Sequence, residues 1–231
     1  MLISEIFHSI QGEGTLAGMP SVFVRTSGCN LRCRWCDTPY ASWKPEGNQM
    51  SVDEIMEVVS AFECRHVVVT GGEPMVAKDM PDLLRALRAT SHHITIETAG
   101  TVPPNGAEVD LASISPKLAH STPDTETAGP EWVQKHEATR LQPAVLREWC
   151  ENYDVQLKFV VSSEADLCEL TEMVESIGIP IPPETILLMP EGTDLETLQS
   201  RRSFIVDACK LHGYRYSPRL HIDLFGNTRG T

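Results

Sequence analysis

Three cysteines in one short run carry the clearest chemistry in this chain. Cys29, Cys33 and Cys36 lie in Ser27-Gly28-Cys29-Asn30-Leu31-Arg32-Cys33-Arg34-Trp35-Cys36-Asp37-Thr38, a C-x3-C-x2-C spacing. Thiolates this close in sequence can wrap one inorganic cluster, and a cubane cluster has four irons to hold. Three cysteines leave one iron without a protein ligand. An open coordination position is where metal chemistry takes place, whereas a closed site is usually structural. Two other readings of the same residues stay open here. The cysteines could form a zinc site completed by His8 or another histidine, or a group of buried thiols. Zinc sites more often come as two separated C-x2-C pairs, and there is no second pair.

Other residues with chemical potential fall where apolar runs end. His66-Val67-Val68-Val69 leads into Thr70-Gly71-Gly72-Glu73-Pro74. Paired glycines let a ligand approach the backbone, and Glu73 can receive an ammonium group. Ile96 leads into Glu97-Thr98-Ala99-Gly100-Thr101, Ile114 into Ser115-Pro116-Lys117, and Leu188 into Met189-Pro190-Glu191-Gly192. Each alone could be turn chemistry. Near the start, Ile10-Gln11-Gly12-Glu13-Gly14 sets a carboxylate between glycines. A Glu carboxylate can pair bidentately with an N–C–N fork, such as the 2-amino pyrimidinone edge of guanines and pterins. Arg25 suits a substrate carboxylate, with a salt bridge to Glu5 or Glu13 as the alternative.

These residues need a scaffold that brings strand ends together. The chain has 231 residues and 41% hydrophobic content, enough for a buried core. Candidate strands are Glu5–Ile10, Val22–Thr26, His66–Thr70, Ile94–Thr98, Leu111–Ser115, Leu157–Val161, Ile186–Met189 and Arg215–His221. Helical patterns alternate with them, which reads as α/β. Ser51-Val52-Asp53-Glu54 is a capping box that opens the first helix. Further helices are expected from near Pro81, from about Pro143 to Tyr153, from Glu164 to Ile177 and from Leu195 to His212. Gly178 and Gly213 stand where helix-ending glycines belong. The polar stretch 119–142 reads as a surface loop or excursion over the active face. A full eightfold barrel needs typically about 250 residues, so the expected architecture is a single domain, 1–231, built as an incomplete parallel β/α barrel of about six strands. In such folds ligands bind at the C-terminal strand ends.

Bulk properties narrow the function. The net charge of −13 without a basic block argues against extended nucleic-acid binding. No apolar run approaches a membrane span, and the first residues do not read as a secretory signal. Seven cysteines, of which three cluster, argue against a disulfide framework and for a reducing cytosol. Cys64, Cys150, Cys168 and Cys209 read as small buried hydrophobes. His92 and His93, adjacent at a strand start, point to opposite faces and read as structural.

The cysteine spacing, with the aromatic Trp35 before the third cysteine, resembles the radical S-adenosylmethionine (SAM) superfamily. Gln11-Gly12-Glu13-Gly14, Arg25, the three cysteines followed by Asp37-Thr38, Thr70-Gly71-Gly72-Glu73-Pro74, Glu97-Thr98-Ala99-Gly100-Thr101 and Ser115-Pro116-Lys117 stand in the motif order of 7-carboxy-7-deazaguanine synthases. The resemblance extends over most of the chain but leaves 119–142 unplaced. It implies a shortened β/α barrel and a homodimer that converts 6-carboxy-5,6,7,8-tetrahydropterin into 7-carboxy-7-deazaguanine with loss of ammonia, in the queuosine (7-deazapurine) pathway. The implied cofactors are a [4Fe-4S] cluster on Cys29, Cys33 and Cys36, SAM, and Mg2+ held by Thr38. An electron donor such as flavodoxin or ferredoxin is implied as partner.

The resemblance further implies that Ile10, Gln11, Gly12, Glu13, Arg25, Thr70 and His221 hold the pterin. Trp35, Asp37, Gly72, Glu73, Ser115, Pro116, Lys117 and Met189 fall on the SAM side. Three departures are visible. Ala99 stands where the family often has Asn or Ser, Met189 where many members have Gln, and the tail continues past His221 through Asn227. Two other functions stay open: a radical SAM activase acting on a protein, which needs no purine-like pocket, and a non-catalytic zinc-binding module.

Overall fold

The computed structural model describes residues Met1–Thr231. Nine strands form one sheet. They are β1 (Leu2–Ile10), β2 (Pro20–Thr26), β3 (Asn48–Gln49), β4 (His66–Gly71), β5 (His93–Thr98), β6 (Leu111–Ile114), β7 (Val155–Val161), β8 (Ile186–Pro190) and β9 (Arg215–Tyr216). Their order is β3-β1-β2-β4-β5-β6-β7-β8-β9, and β3 and β9 lie at its two open ends. From β2 through β4 to β9 every pairing is parallel. β1 pairs antiparallel with both β2 and β3. The sheet is therefore mixed, mostly parallel and unclosed, an incomplete barrel with six longer parallel strands.

Eight helices connect the strands: α1 (Val52–Ser60), α2 (Met80–Ala89), α3 (Thr125–Ala128), α4 (Pro130–Arg140), α5 (Pro143–Asn152), α6 (Glu164–Ile177), α7 (Leu195–His212) and α8 (Leu220–Phe225). The capping box at Ser51 forms as expected, with the Ser51 hydroxyl accepting from Glu54 N–H and Glu54 accepting from Ser51 N–H. Gly178 and Gly213 end α6 and α7 in the left-handed conformation. The core lies between the sheet and these helices. Strand periodicity sends Val22 and Val24, Val67 and Val69, Ile94 and Ile96, Leu157, Phe159 and Val161 outward into it. Trp149 of α5 is fully buried there and donates its indole N–H to the Val102 carbonyl at 3.1 Å.

The alternate residues face inward, and many of them are polar. Arg25, Thr70, Glu97, Ser113 and Lys158 line the open lumen. A polar lumen under an apolar outer layer is what lets this half-barrel hold a hydrophilic ligand.

Three expectations need correction. The last strand stops at Tyr216, because Pro218 has no N–H to continue the ladder, and His221 lies on α8. The stretch 119–142 is not an irregular loop. It contains a 3-10 turn, Ala119–Ser121, and the helices α3 and α4. The only buried residue of α4 is His136, so its helical period carries no apolar stripe to read. Cys168 is exposed rather than buried, because its position on α6 turns it to solvent.

Two substitutions measure this framework. Trp149→Ala is expected to lower the unfolding free energy of the cluster-free protein by about 3–5 kcal/mol, and Ser51→Ala by about 1 kcal/mol. Urea denaturation followed by circular dichroism reads both, and equal effects would contradict the burial described here.

Candidate active site

One cavity of about 710 Å3 opens at the C-terminal ends of the parallel strands. One side of it is the loop after β2, which presents Cys29, Cys33, Trp35, Cys36, Asp37 and Thr38. The strand ends supply Thr70, Gly72, Ser115, Lys117 and Met189. The opposite wall is the N-terminal loop Ile10, Gln11, Gly12 and Glu13, together with Arg25 and His221. Seventeen of the nineteen residues singled out from sequence thus share one cavity; Glu73 and Pro116 are the two that do not.

The cysteine loop is shaped by close backbone contacts. Gly28 N–H donates to the Ala41 carbonyl at 2.7 Å, and Glu73 N–H donates to the Gly28 carbonyl at 2.9 Å. A Cβ at Gly72 would stand 2.3 Å from the Gly28 carbonyl oxygen and 2.6 Å from that of Ala41. Only glycine lets the end of β4 press against the cysteine loop this way. Leu31 N–H points at the Cys29 sulfur at 3.4 Å, and the Ser42 hydroxyl lies 3.1 Å from the Cys36 sulfur. The Leu31 amide is a donor that suits an anionic thiolate, while the Ser42 hydroxyl donates to the Thr38 carbonyl at 3.2 Å. Burial pushes the metal-free Cys29 thiol up to about 11 and the Cys33 thiol up to about 12, so metal binding must displace their protons.

This donor set fits an iron–sulfur cluster. Three thiols face one cavity beside polar strand ends, and the Trp35 indole nitrogen is buried without a protein partner. The zinc alternative loses His8 as its fourth ligand. His8 is the exposed residue of β1, packs 5.8 Å from Phe62 and does not line the cavity. No three His, Cys, Asp or Glu side chains converge as one metal ion requires.

Glu73 takes a different place from the one expected. It is fully buried beneath the cavity floor. Its oxygens accept from Thr98 hydroxyl at 2.8 Å, Ala99 N–H at 2.7 Å and Met75 N–H at 3.1 Å. Burial raises its carboxyl above the usual range even though these donors oppose the shift. Glu73 therefore braces the end of β5 from beneath the cavity floor.

The opposite wall is an ion network. Glu13 receives Lys158 Nζ at 2.5 Å and Arg219 Nε at 3.1 Å. Arg219 also pairs with Asp37 across the cavity. Burial would raise the Glu13 carboxyl, but Lys158, Arg219 and His221 outweigh it and hold it well below the carboxylate range. Burial would likewise raise Asp37, and Arg219 overrides it. Burial would lower Lys158, yet Glu13 and Glu97 raise it. Both oxygens of Glu13 are therefore engaged by protein cations, which the reading of Glu13 as a free fork acceptor did not anticipate.

Glu97 offers the other carboxylate. It accepts from Gln11 Nε2 at 3.1 Å and from the Thr70 hydroxyl at 2.9 Å, and it faces the cavity. Arg25 makes the alternative salt bridge, Nε to Glu5 at 2.7 Å, and its terminal guanidinium nitrogens remain without a protein partner on the cavity wall. His221 sits directly over Gly12, where a Cβ would fall 1.9 Å from its Nδ1. The tail Asn227–Thr231 lines the cavity, with Arg229 stacked 4.1 Å from the Tyr40 ring and paired with Glu5 and Glu46. Sequence reading missed Glu97 as a site residue, Lys158, Arg219 and this tail. A lysine inside an otherwise apolar strand was the signal available for Lys158.

Comparisons with known proteins agree with this geometry. The radical SAM superfamily model matches residues 23–136. A 7-carboxy-7-deazaguanine synthase of Halobacterium salinarum is 47% identical over 237 residues, which cover 99% of this chain and 92% of its own. One of Rhodopirellula baltica is 46% identical over 232 residues, covering 100% of this chain and 89% of its own. The crystal structure of QueE from Escherichia coli shares the fold, with a TM-score of 0.71 at 24% identity, covering 94% of this chain and 92% of that one.

Two measurements probe the site. Gly72→Ala should displace the cysteine loop, and iron bound per chain after anaerobic reconstitution should fall to less than about half, given backbone clashes that cannot relax cheaply. Wild-type iron content would show that the pinch is not needed. The second concerns His136, whose imidazole burial lowers from its ordinary 6.5 to about 4. The unfolded chain then takes up this proton first as the pH falls. Its stabilising contribution is complete above pH 6.5 and declines towards pH 4. Between these values the cluster-free wild type should lose stability faster than His136→Asn, by about 1.4 kcal/mol per pH unit, in denaturant titrations at each pH.

Proposed function

The chain belongs to the 7-carboxy-7-deazaguanine synthase family of the radical SAM superfamily, and we propose that it converts 6-carboxy-5,6,7,8-tetrahydropterin into 7-carboxy-7-deazaguanine with release of ammonia, within queuosine and 7-deazapurine biosynthesis. The observation that carries this reading is the juxtaposition in one cavity of three cysteine thiols and a wall of paired charges facing them. The whole chain acts as one catalytic domain in this reading.

Cys29, Cys33 and Cys36 would hold the [4Fe-4S] cluster. Trp35, Gly72, Ser115, Lys117 and Met189 line the adjoining wall for SAM, with Glu73 and Pro116 supporting it from below. When bound, cluster and SAM together supply hydrogen-atom abstraction, which is cofactor chemistry. The residues of the chain place and isolate the substrate. Glu97 and the Gln11–Gly12 backbone face the space where the 2-amino edge of a pterin would lie, and Glu13 fixes that loop through Lys158 and Arg219. Arg25, held at Nε by Glu5, presents its remaining nitrogens to the substrate carboxylate. Thr38 lines the cavity beside Cys36, its hydroxyl 3.9 Å from that sulfur; a free hard oxygen there suits Mg2+, which takes few protein ligands.

The site's oxygen-rich wall, built for a small heterocycle, supports this chemistry over an activase acting on a protein. No helix is long and apolar enough to cross a membrane. A cytosolic setting, a homodimer and a flavodoxin- or ferredoxin-type reductant complete the reading, on the strength of the family alone.

Anaerobic incubation with the carboxytetrahydropterin, SAM, Mg2+ and a strong reductant, followed by mass analysis, tests the reaction. Product that has lost one ammonia, with SAM regenerated, is expected. Glu97→Gln should cut turnover on the order of a hundredfold, because a charged acceptor of a buried polar edge is lost, with iron content unchanged. Thr38→Ala should raise the Mg2+ requirement and leave the cluster spectrum intact. A protein that consumes one SAM per turnover and leaves the pterin unchanged would refute the assignment.

A further inference from the structure

The segment 119–142 has no role in the site described above, yet it holds the backbone on both sides of Cys33. Arg32 N–H donates to His136 Nδ1 at 3.1 Å. Arg34 N–H donates to the Ser121 carbonyl at 2.8 Å. His136 Nε2 lies 3.0 Å from the Ser121 hydroxyl. Because Nδ1 accepts, the ring proton sits on Nε2 and is given to Ser121. His136 and Ser121 are both completely buried. The Arg32 guanidinium lies 3.8 Å over the Trp132 ring on the same helix. It also donates to the carbonyls of Cys29 and Leu31, at 2.9 and 2.7 Å.

Helix α4 has no apolar stripe to explain where it docks. Its one buried side chain is the imidazole that caps the Arg32 amide. We propose that α4 and the turn before it clamp the cysteine loop, with His136 as a positioning residue that acts on Cys33 through the Arg32 amide. The clamp would work as outer partners of metal ligands do elsewhere, by fixing the orientation of a ligand that they do not themselves replace. Leaving the Arg32 N–H buried and unpaired would favour an open loop. Cys33 is the ligand most exposed to this effect, since both flanking amides end on the clamp. The Cys33 carbonyl is tied separately, accepting from the Trp43 indole at 3.1 Å and from Cys36 N–H at 3.2 Å.

This inference rests on the reading of Cys29, Cys33 and Cys36 as cluster ligands. The test compares wild type, His136→Leu, His136→Asn and Trp132→Ala, each reconstituted anaerobically with iron and sulfide. Bound iron is counted, and loss of the cluster absorbance to an excess chelator is followed in time. His136→Leu should lose its cluster about tenfold faster than wild type, and His136→Asn, whose amide oxygen replaces Nδ1 as acceptor, should stay within about threefold. Trp132→Ala, an outer contact, should fall between them and decides the matter if His136→Leu does not fold. Thermal melting of the cluster-free proteins separates positioning from general stability. Rates that follow the melting temperatures, with no rescue by Asn, would overturn the clamp. So would loss from His136→Leu that overlays wild type. A wild-type protein that takes up no iron would instead overturn the ligand assignment itself.

Discussion

Glu13 lies between Lys158 and Arg219, and Arg219 reaches on to Asp37. Any one of these charges alone, taken from water into the lumen, would cost several kcal/mol; in good geometry their mutual attraction offsets that cost. The network joins four distant parts of the chain: the N-terminal loop, the cysteine loop, the middle of β7 and the segment before α8. It sets the loop carrying Gln11 and Gly12 against the loop carrying Cys36 and Thr38. Removing Glu13 would leave Lys158 buried with only the more distant Glu97 to compensate it, a loss of about 3–5 kcal/mol for a broken buried pair. The two halves of the site are therefore positioned by the same charges that make its wall polar.

Strand alternation explains how such a wall can exist in a small domain. In β7, Leu157, Phe159 and Val161 enter the core, while Gln156, Lys158 and Val160 turn inward. Parallel strands are covered on both sides, so in sequence they read as apolar runs without an obvious face. The existence of β7 was legible from Leu157–Val161. Its inward set was not, because assigning a face needs the neighbouring strands. Arg219 was hidden for a related reason. It fell inside an expected strand, 215–221, which Pro218 interrupts after Tyr216.

Motifs were legible where function depends on local backbone. The cysteine spacing, the Gly71-Gly72 pair and the Ser115-Pro116-Lys117 turn each lie within a few residues, and all reach one cavity. What the motif letters could not show was the partner of each carboxylate. Glu73 and Glu13 both looked free in sequence. Glu73 is consumed by Met75, Thr98 and Ala99, and Glu13 by residues 145 and 206 positions away. Glu97 is engaged as well, by Gln11 and Thr70 with Lys158 3.9 Å away, and it faces the cavity from a motif equally visible but with no local feature marking it above the other two. Long-range pairing, rather than residue type, decides where each carboxylate is held.

The segment 119–142 shows the same limit from the other side. Helices are found by apolar periodicity because most of them dock by burying a stripe. α4 docks by a buried imidazole and by Trp132 against a guanidinium, contacts that add no period to the sequence. In the cysteine loop the apolar packing is limited to Leu31 beside Cys33 and Ala99, while the cysteines, Asp37 and Thr38 face the cavity. Its backbone amides are what remain to be held. A neighbouring helix can hold them only with acceptors, so the element that stabilises such a loop is polar by necessity and resembles a surface excursion when read from sequence.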